Sequence, residues 1–162
     1  MNVRKVNYKQ KDAPYEFTRS LKQTGFSILT NHPIKKDLID NVYMDWKTFF
    51  NSSLKDKYLF DPIKQDGYFP FLTENAKGQS LKDLKEFYHV YPWGKYPIEI
   101  SDATKVLYNQ LLELTSTLLG WIQEETPEEV KSNFSVPLNE MIIDSKTNLL
   151  RIIHYPPLNG NE

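Results

Sequence analysis

The stretch that most constrains this chain is Asn148-Leu149-Leu150-Arg151-Ile152-Ile153-His154-Tyr155, closed by Pro156-Pro157. Its β-branched and apolar content reads as a strand, and prolines cannot give an N–H to a ladder. Only a few tail residues follow, and they supply no evident antiparallel partner. An open hydrophobic strand is an aggregation hazard that proteins pair or cover. Either this strand pairs far back in the chain, or the partner lies outside these residues. Alternation divides it into two faces: Arg151, Ile153 and Tyr155 on one, Leu150, Ile152 and His154 on the other. An arginine and a tyrosine four apart on one strand face are chemically suited to an organic carboxylate. From spacing alone a plain sheet surface is the favoured account of both, and the carboxylate reading stands beside it.

Most of what precedes the strand is helical. Residues 14–23 place Phe17 and Leu21 four apart on one face, and Gly25 stops the helix. Gly25 to His32 then alternates Phe26, Ile28 and Thr30 as a strand, ended by Pro33. Lys35 to Asn51 carries Leu38, Ile39, Val42, Trp46, Phe49 and Phe50 on one stripe, which assigns the three aromatics to a core rather than a ligand cage. A short helix over 54–58 follows. Asp66-Gly67 reads as a turn and Phe87–Tyr91 as a strand within an aromatic-rich, irregular stretch. That stretch (Tyr68, Phe69, Phe71, Tyr88, Tyr91, Trp93, Tyr96) suits either packing against a missing layer or a pocket mouth. Ser101 caps a predicted helix to Gln123 that turns Val106, Leu107, Leu111, Leu114, Leu118 and Ile122 inward. Thr126-Pro127-Glu128-Glu129 reads as a capping box.

No repeat or linker divides the chain, so it reads as one unit over 1–162: a helix-rich region over 1–145, then a first sheet strand and tail over 146–162. Hydrophobic residues are 40% of the 162, ample for a core, and the net charge of −1 argues against nucleic acid as a partner. Zero cysteines exclude disulfides, thiolate metal sites and a cysteine nucleophile. No apolar run suits a membrane span, and Met1-Asn2-Val3-Arg4-Lys5 has no leader-like apolar stretch. The expectation is a soluble, cytoplasmic chain. No glycine-rich phosphate loop and no Gly-x-Ser-x-Gly elbow occurs.

Four segments carry a resemblance. Thr24-Gly25-Phe26-Ser27-Ile28-Leu29-Thr30-Asn31-His32 resembles the early "GFF-x-LTNHG" strand of the isopenicillin N synthase-like oxygenases, which depend on iron(II) and 2-oxoglutarate. Asp66-Gly67-Tyr68-Phe69-Pro70 resembles their "GY-x-P" segment and Asp83-Leu84-Lys85-Glu86-Phe87-Tyr88-His89 their "D-x-KE-x-F" strand. Leu150 to Pro157 is similar to the "LR-x-x-HYPP" signature of bacterial members. The four keep the family's order and span nearly the whole chain. The resemblance implies an α+β fold: a helical N-terminal region, then the first strands of a double-stranded β-helix (jelly roll), with the barrel incomplete here. It implies that Tyr155 hydrogen-bonds the cosubstrate carboxylate and that Arg151 points into the same pocket, both as cofactor-binding residues.

The departure from the family concerns the metal. Relatives hold iron with a His-x-Asp pair and a distant second histidine. The histidines here are His32, His89 and His154, followed by Pro33-Ile34, Val90-Tyr91 and Tyr155-Pro156, so none opens such a pair. Nor does an Arg-x-Ser clamp occur. Glu86 and His89, three apart on a strand, face opposite sides, and His32 before Pro33 reads as a strand end. The expectation is therefore no catalytic and no metal-ligating residue in this chain. Iron(II) and 2-oxoglutarate belong to a complete enzyme that oxidises a small molecule, and the chain alone is expected to be inactive. Its missing C-terminal half, or a second chain, would supply the metal. The alternative is a non-catalytic remnant that binds a protein partner through its open edge strand.

Overall fold

The computed structural model describes residues 2–75, 77–78, 80–158 and 160. The chain divides into two units, one of residues 1–35 and 107–145, the other of residues 36–106 and 146–162.

The first unit opens with β1 (Lys5–Asn7), α1 (Ala13–Thr24) and β2 (Ile28–Thr30), and β1 and β2 pair in parallel with Val6 opposite Leu29. Gly25 ends α1 in the left-handed region (φ 78°), and its N–H donates to the Leu21 carbonyl at 2.8 Å. A Cβ strains that conformation, so glycine is the natural terminator. Strand β2 is shorter than the alternation suggests. Phe26 and Ile28 are exposed, while Leu29 packs inward on Val6, Ala13 and Phe17. Residues 107–124 of α3 (Ala103–Glu124) add Leu118, Trp121 and Ile122 to that core. Trp121 meets Tyr8 and Phe17 with ring centroids 5.1 and 5.8 Å apart. The fully buried Ser20 hydroxyl donates to the Phe26 carbonyl at 2.6 Å and accepts from the Arg4 amide, tying α1 to both strand ends.

The predicted cap at Thr126 is not formed. Pro127 precedes α4 (Glu128–Lys131), and the Thr126 hydroxyl donates back to the Ile122 carbonyl at 2.6 Å. A threonine one turn beyond a helix end has that carbonyl within reach, and the local bond wins.

The second unit is a three-stranded antiparallel sheet covered on one face by α2 (Lys36–Phe50). The strands are β3 (Gly67–Phe69), β4 (Glu86–Val90) and β5 (Leu150–His154), in the order β3-β4-β5. The terminal strand thus takes the first of its two alternatives and pairs with a segment far back in the chain, His89 opposite Arg151 and Glu86 opposite His154. It spans five residues rather than the eight read from sequence, with Pro156 two residues past its end. The α2 stripe buries Val42, Trp46, Phe49 and Phe50 as its 3.6-residue period requires. Trp46 packs on Tyr88 at 4.8 Å and donates its indole N–H to the Thr104 hydroxyl at 2.9 Å. Ser101 accepts from the Ala103 amide at the start of α3, in agreement with its predicted cap. Val106, one turn on, is 46% exposed and does not face inward as predicted.

Asp66-Gly67 is not itself the turn. Residues 62–64 turn, Gln65 adopts a left-handed φ of 61°, and Gly67 opens β3 with φ 102°. A Cβ built on Gly67 would lie 2.7 Å from the Tyr58 carbonyl oxygen. Both the dihedral and the contact demand glycine. Gly67→Ala is expected to lose about 2–4 kcal/mol, combining a φ penalty of about 1–3 kcal/mol with displacement of the Tyr58 segment. Urea unfolding followed by far-UV circular dichroism measures this. A loss under about 0.5 kcal/mol would mean that the backbone relaxes freely there.

Candidate functional site

Side chains on the three strands separate strictly by face, because successive residues alternate. Tyr68, Glu86, Tyr88, Ile152 and His154 share the face covered by α2. Phe69, Phe87, His89, Arg151 and Ile153 share the other. Glu86 and His89 lie on opposite faces, as their odd spacing predicts.

The α2-facing side holds a buried polar cluster around Glu86, which is 3% exposed. Its carboxylate accepts from the Lys55 ammonium at 2.9 Å, from the Tyr68 hydroxyl, and from His154 Nδ1 at 2.7 Å. Lys55 comes from the 3-10 turn Ser53–Tyr58, capped by the Ser52 hydroxyl. Burial pushes the Glu86 pKa up, but the three hydrogen bonds outweigh it and hold the carboxyl below its ordinary value. Burial and the adjacent carboxylate push the Tyr68 hydroxyl far above the ordinary tyrosine range, so it stays a donor. The His154 ring stacks on Phe50 at 5.2 Å with planes 17° apart. His154 is therefore engaged on both its edge and its face within the unit.

On the opposite face Phe60, Phe69 and Phe87 stack with centroids 4.2 and 4.4 Å apart and planes 14° from parallel. The Arg151 guanidinium lies over Phe87 at 4.6 Å, and its Nε donates to His89 Nε2 at 2.9 Å. His89 is 5% exposed, and its Nδ1 lies 2.7 Å from the Gln65 carbonyl oxygen. Among the described residues no other hydrogen bond engages the guanidinium, and Arg151 is exposed on the open face. Tyr155, one residue past β5, is 69% exposed, and Ile153 between them is 44% exposed. Arg151 is thus on the exposed face of β5 and Tyr155 is exposed just past its end, while Leu150, Ile152 and His154 on the strand's other face are half-buried.

The aromatic-rich stretch divides. Tyr68, Phe69 and Tyr88 are core of this unit rather than cover for a missing layer. Trp93 is 47% exposed, stacks on Tyr91 at 4.6 Å, and donates its indole N–H to the Lys146 carbonyl. Sequence reasoning missed the contact of His89 with Arg151 and the convergence of Lys55, Tyr68 and His154 on Glu86. The pairs His89–Arg151 and Glu86–His154 follow from the β4–β5 register, whereas Tyr68 comes from β3 and Lys55 from the 3-10 turn.

Iron and cosubstrate fare differently on these residues. Among the described residues no group of three or more His, Cys, Asp or Glu is placed to hold a metal ion. His89 commits both ring nitrogens to Arg151 and Gln65, and His154 commits its Nδ1 to Glu86 on the opposite face of the sheet, so the residues present do not fit a facial triad. An exposed guanidinium and an exposed phenol are each of a chemical kind that can bind an organic carboxylate.

Residues 8–111 match the family model described as the N-terminal region of the non-haem dioxygenase in morphine synthesis. Leucoanthocyanidin dioxygenase of Vitis vinifera is 28% identical over 152 residues, 82% of this chain and 41% of that protein. The Malus domestica enzyme of the same name is 34% identical over 107 residues, 59% of this chain and 30% of that protein. A crystal structure of a candidate oxygenase from Shewanella oneidensis superposes with a TM-score of 0.88 at 42% identity, covering 100% of this chain and 57% of that one. A 2OG-Fe(II) oxygenase family protein of Caulobacter crescentus gives a TM-score of 0.71 at 24% identity, which speaks to the fold alone. The chain therefore spans well under two thirds of the length of each of these relatives.

Proposed function

Because this chain belongs to the non-haem dioxygenase N-terminal family, whose members use Fe(II) and 2-oxoglutarate, we propose that it is the front portion of an oxygenase. The complete enzyme oxidises a small molecule and decarboxylates 2-oxoglutarate to succinate. Arg151 and Tyr155 receive the cosubstrate: the guanidinium pairs with a carboxylate and the Tyr155 hydroxyl donates a further hydrogen bond to it. The iron ligands come from outside these 162 residues, in a C-terminal half or a second chain that completes the jelly roll, and the chain alone is inactive. Among the described residues no helix is long and apolar enough to cross a membrane, and we place the enzyme in the cytoplasm.

The observation that supports this reading is that Arg151 is exposed on β5 over the Phe87 ring and that Tyr155, one residue past the strand, is exposed as well. Succinate release from 2-oxoglutarate, assayed with iron(II) and oxygen, tests it. The polypeptide carrying the metal half is expected to turn over and the 162-residue chain is not. Iron-dependent succinate formation by this chain alone would end the claim of inactivity. In the active form, Tyr155→Phe is expected to raise the KM for 2-oxoglutarate about tenfold or more, the worth of one hydrogen bond to a charged group. An unchanged KM would remove Tyr155 from the pocket.

A second reading is favoured by the one-sided pairing of β5, which closes the sheet order β3-β4-β5 with its outer edge unpaired among the described strands. On that reading the chain is a non-catalytic remnant whose edge adds a strand from a protein partner. A monomeric, cooperatively folding 162-residue product with no metal half encoded nearby would favour it.

A further inference from the structure

We infer that His89 is a positioning residue for Arg151: its Nε2 lone pair fixes the guanidinium on the open face of β5 so that the Nη1–Nη2 edge is presented to a carboxylate of 2-oxoglutarate. This rests on the reading of Arg151 given above.

The chemistry of the contacts assigns the histidine's state. A carbonyl oxygen only accepts, so the 2.7 Å contact to Gln65 places the proton on Nδ1. An arginine Nε–H only donates, so the 2.9 Å contact to Nε2 requires a lone pair there. His89 is therefore neutral, in one tautomer, with both nitrogens committed. Burial pushes its pKa below the ordinary histidine value, and the neighbouring Arg151 acts in the same direction.

Rigidity comes from what surrounds the ring. His89 lies against Phe69 and Phe87 at 4.5 and 5.0 Å, and its carbonyl partner belongs to Gln65, whose φ of 61° is fixed by the turn into β3. Arginine has five donors in a planar fork. Spending Nε on His89 and one π-face on Phe87 leaves the two-pronged Nη edge, the geometry that pairs with a carboxylate. A histidine that only filled space would be replaced by phenylalanine at no cost to Arg151. A histidine that holds Arg151 is replaceable only by a side chain with an acceptor.

The test uses the polypeptide as the cell makes it, labelled with nitrogen-15, and 2-oxoglutarate as the probe in the absence of oxygen. Nuclear magnetic resonance reads the scalar coupling across the hydrogen bond from Arg151 Nε to His89 Nε2. Titration gives the Kd for 2-oxoglutarate in the native protein and in His89→Phe, His89→Gln and Arg151→Gln. The coupling is expected to be present. His89→Phe should weaken binding about tenfold or more, while His89→Gln, whose amide oxygen can accept from Nε–H, should stay within about threefold. Arg151→Gln should weaken binding at least as much as His89→Phe.

Absence of the coupling overturns the inference. So does full binding by His89→Phe alongside weakened binding by Arg151→Gln, a result that leaves the Arg151 reading standing. Unchanged binding in Arg151→Gln overturns that reading and the inference with it. A circular dichroism spectrum of each variant identical to the native one separates lost positioning from lost fold.

Discussion

Trp46→Ala is expected to lower the stability of the chain by about 3–5 kcal/mol, the usual cost of deleting a fully buried aromatic and leaving its cavity. Trp46 is 1% exposed and its ring is within 6 Å of Phe49, Phe50 and Tyr88, so one side chain joins α2 to the sheet. Its indole N–H is the donor to Thr104, which is itself fully buried. Truncation therefore opens a cavity and removes that donor. Trp46→Phe separates the two effects: it keeps most of the ring volume and loses the donor, so a loss of about 1–3 kcal/mol is expected. Total stabilities are only about 5–15 kcal/mol, so the alanine variant should be largely unfolded under mild denaturant. Urea titration followed by far-UV circular dichroism measures both. A loss under about 1 kcal/mol for Trp46→Ala would show that α2 is not anchored through this residue.

The same residue illustrates what a single sequence discloses. The α2 stripe was legible because its period of 3.6 repeats over four turns, and a lone apolar face has one use. The two faces of β5 were legible for the same reason, with a period of 2. The family resemblance and the absence of a His-x-Asp pair were legible from short segments alone. Pairing was not. Lys5-Val6-Asn7 carries one apolar residue between two polar ones, too short a pattern to announce β1, yet it pairs with β2. Strand β5 finds its partner some sixty residues upstream, and no local signal encodes that distance. Two contacts of the candidate site depend on it. His89 meets Arg151, and Glu86 meets His154, because one antiparallel register places each pair opposite. Val106 and Thr126 failed for a different reason. Both sit near helix ends, where neighbouring turns and loops decide the environment that helical periodicity alone describes poorly.

Register also brings together the charges that govern the response to acid. Glu86→Gln is expected to cost about 3 kcal/mol at neutral pH, the low end for removing one member of a buried ion pair, because Lys55 remains a quarter exposed. The amide keeps the size of the side chain and can still accept from Tyr68, so the loss reports mainly the charge. The pH dependence separates this from a packing defect. The folded carboxyl has a pKa below its ordinary value of 4.5. Its stabilising contribution is therefore full above that value and is lost as pH falls through the folded pKa. His89 acts in a higher window. Its folded pKa is below the ordinary 6.5, so the fold favours the neutral ring and loses that contribution as pH falls below 6.5 through the folded pKa. Native protein should thus lose stability on acidification in two stages. Glu86→Gln should abolish the lower stage and keep the upper, while His89→Phe should do the reverse. Urea midpoints measured at half-unit steps from pH 7.5 to 3 resolve the two. If Glu86→Gln retains the full acid sensitivity of native protein below pH 4.5, the carboxylate cluster is not what holds α2 and the 3-10 turn to the sheet.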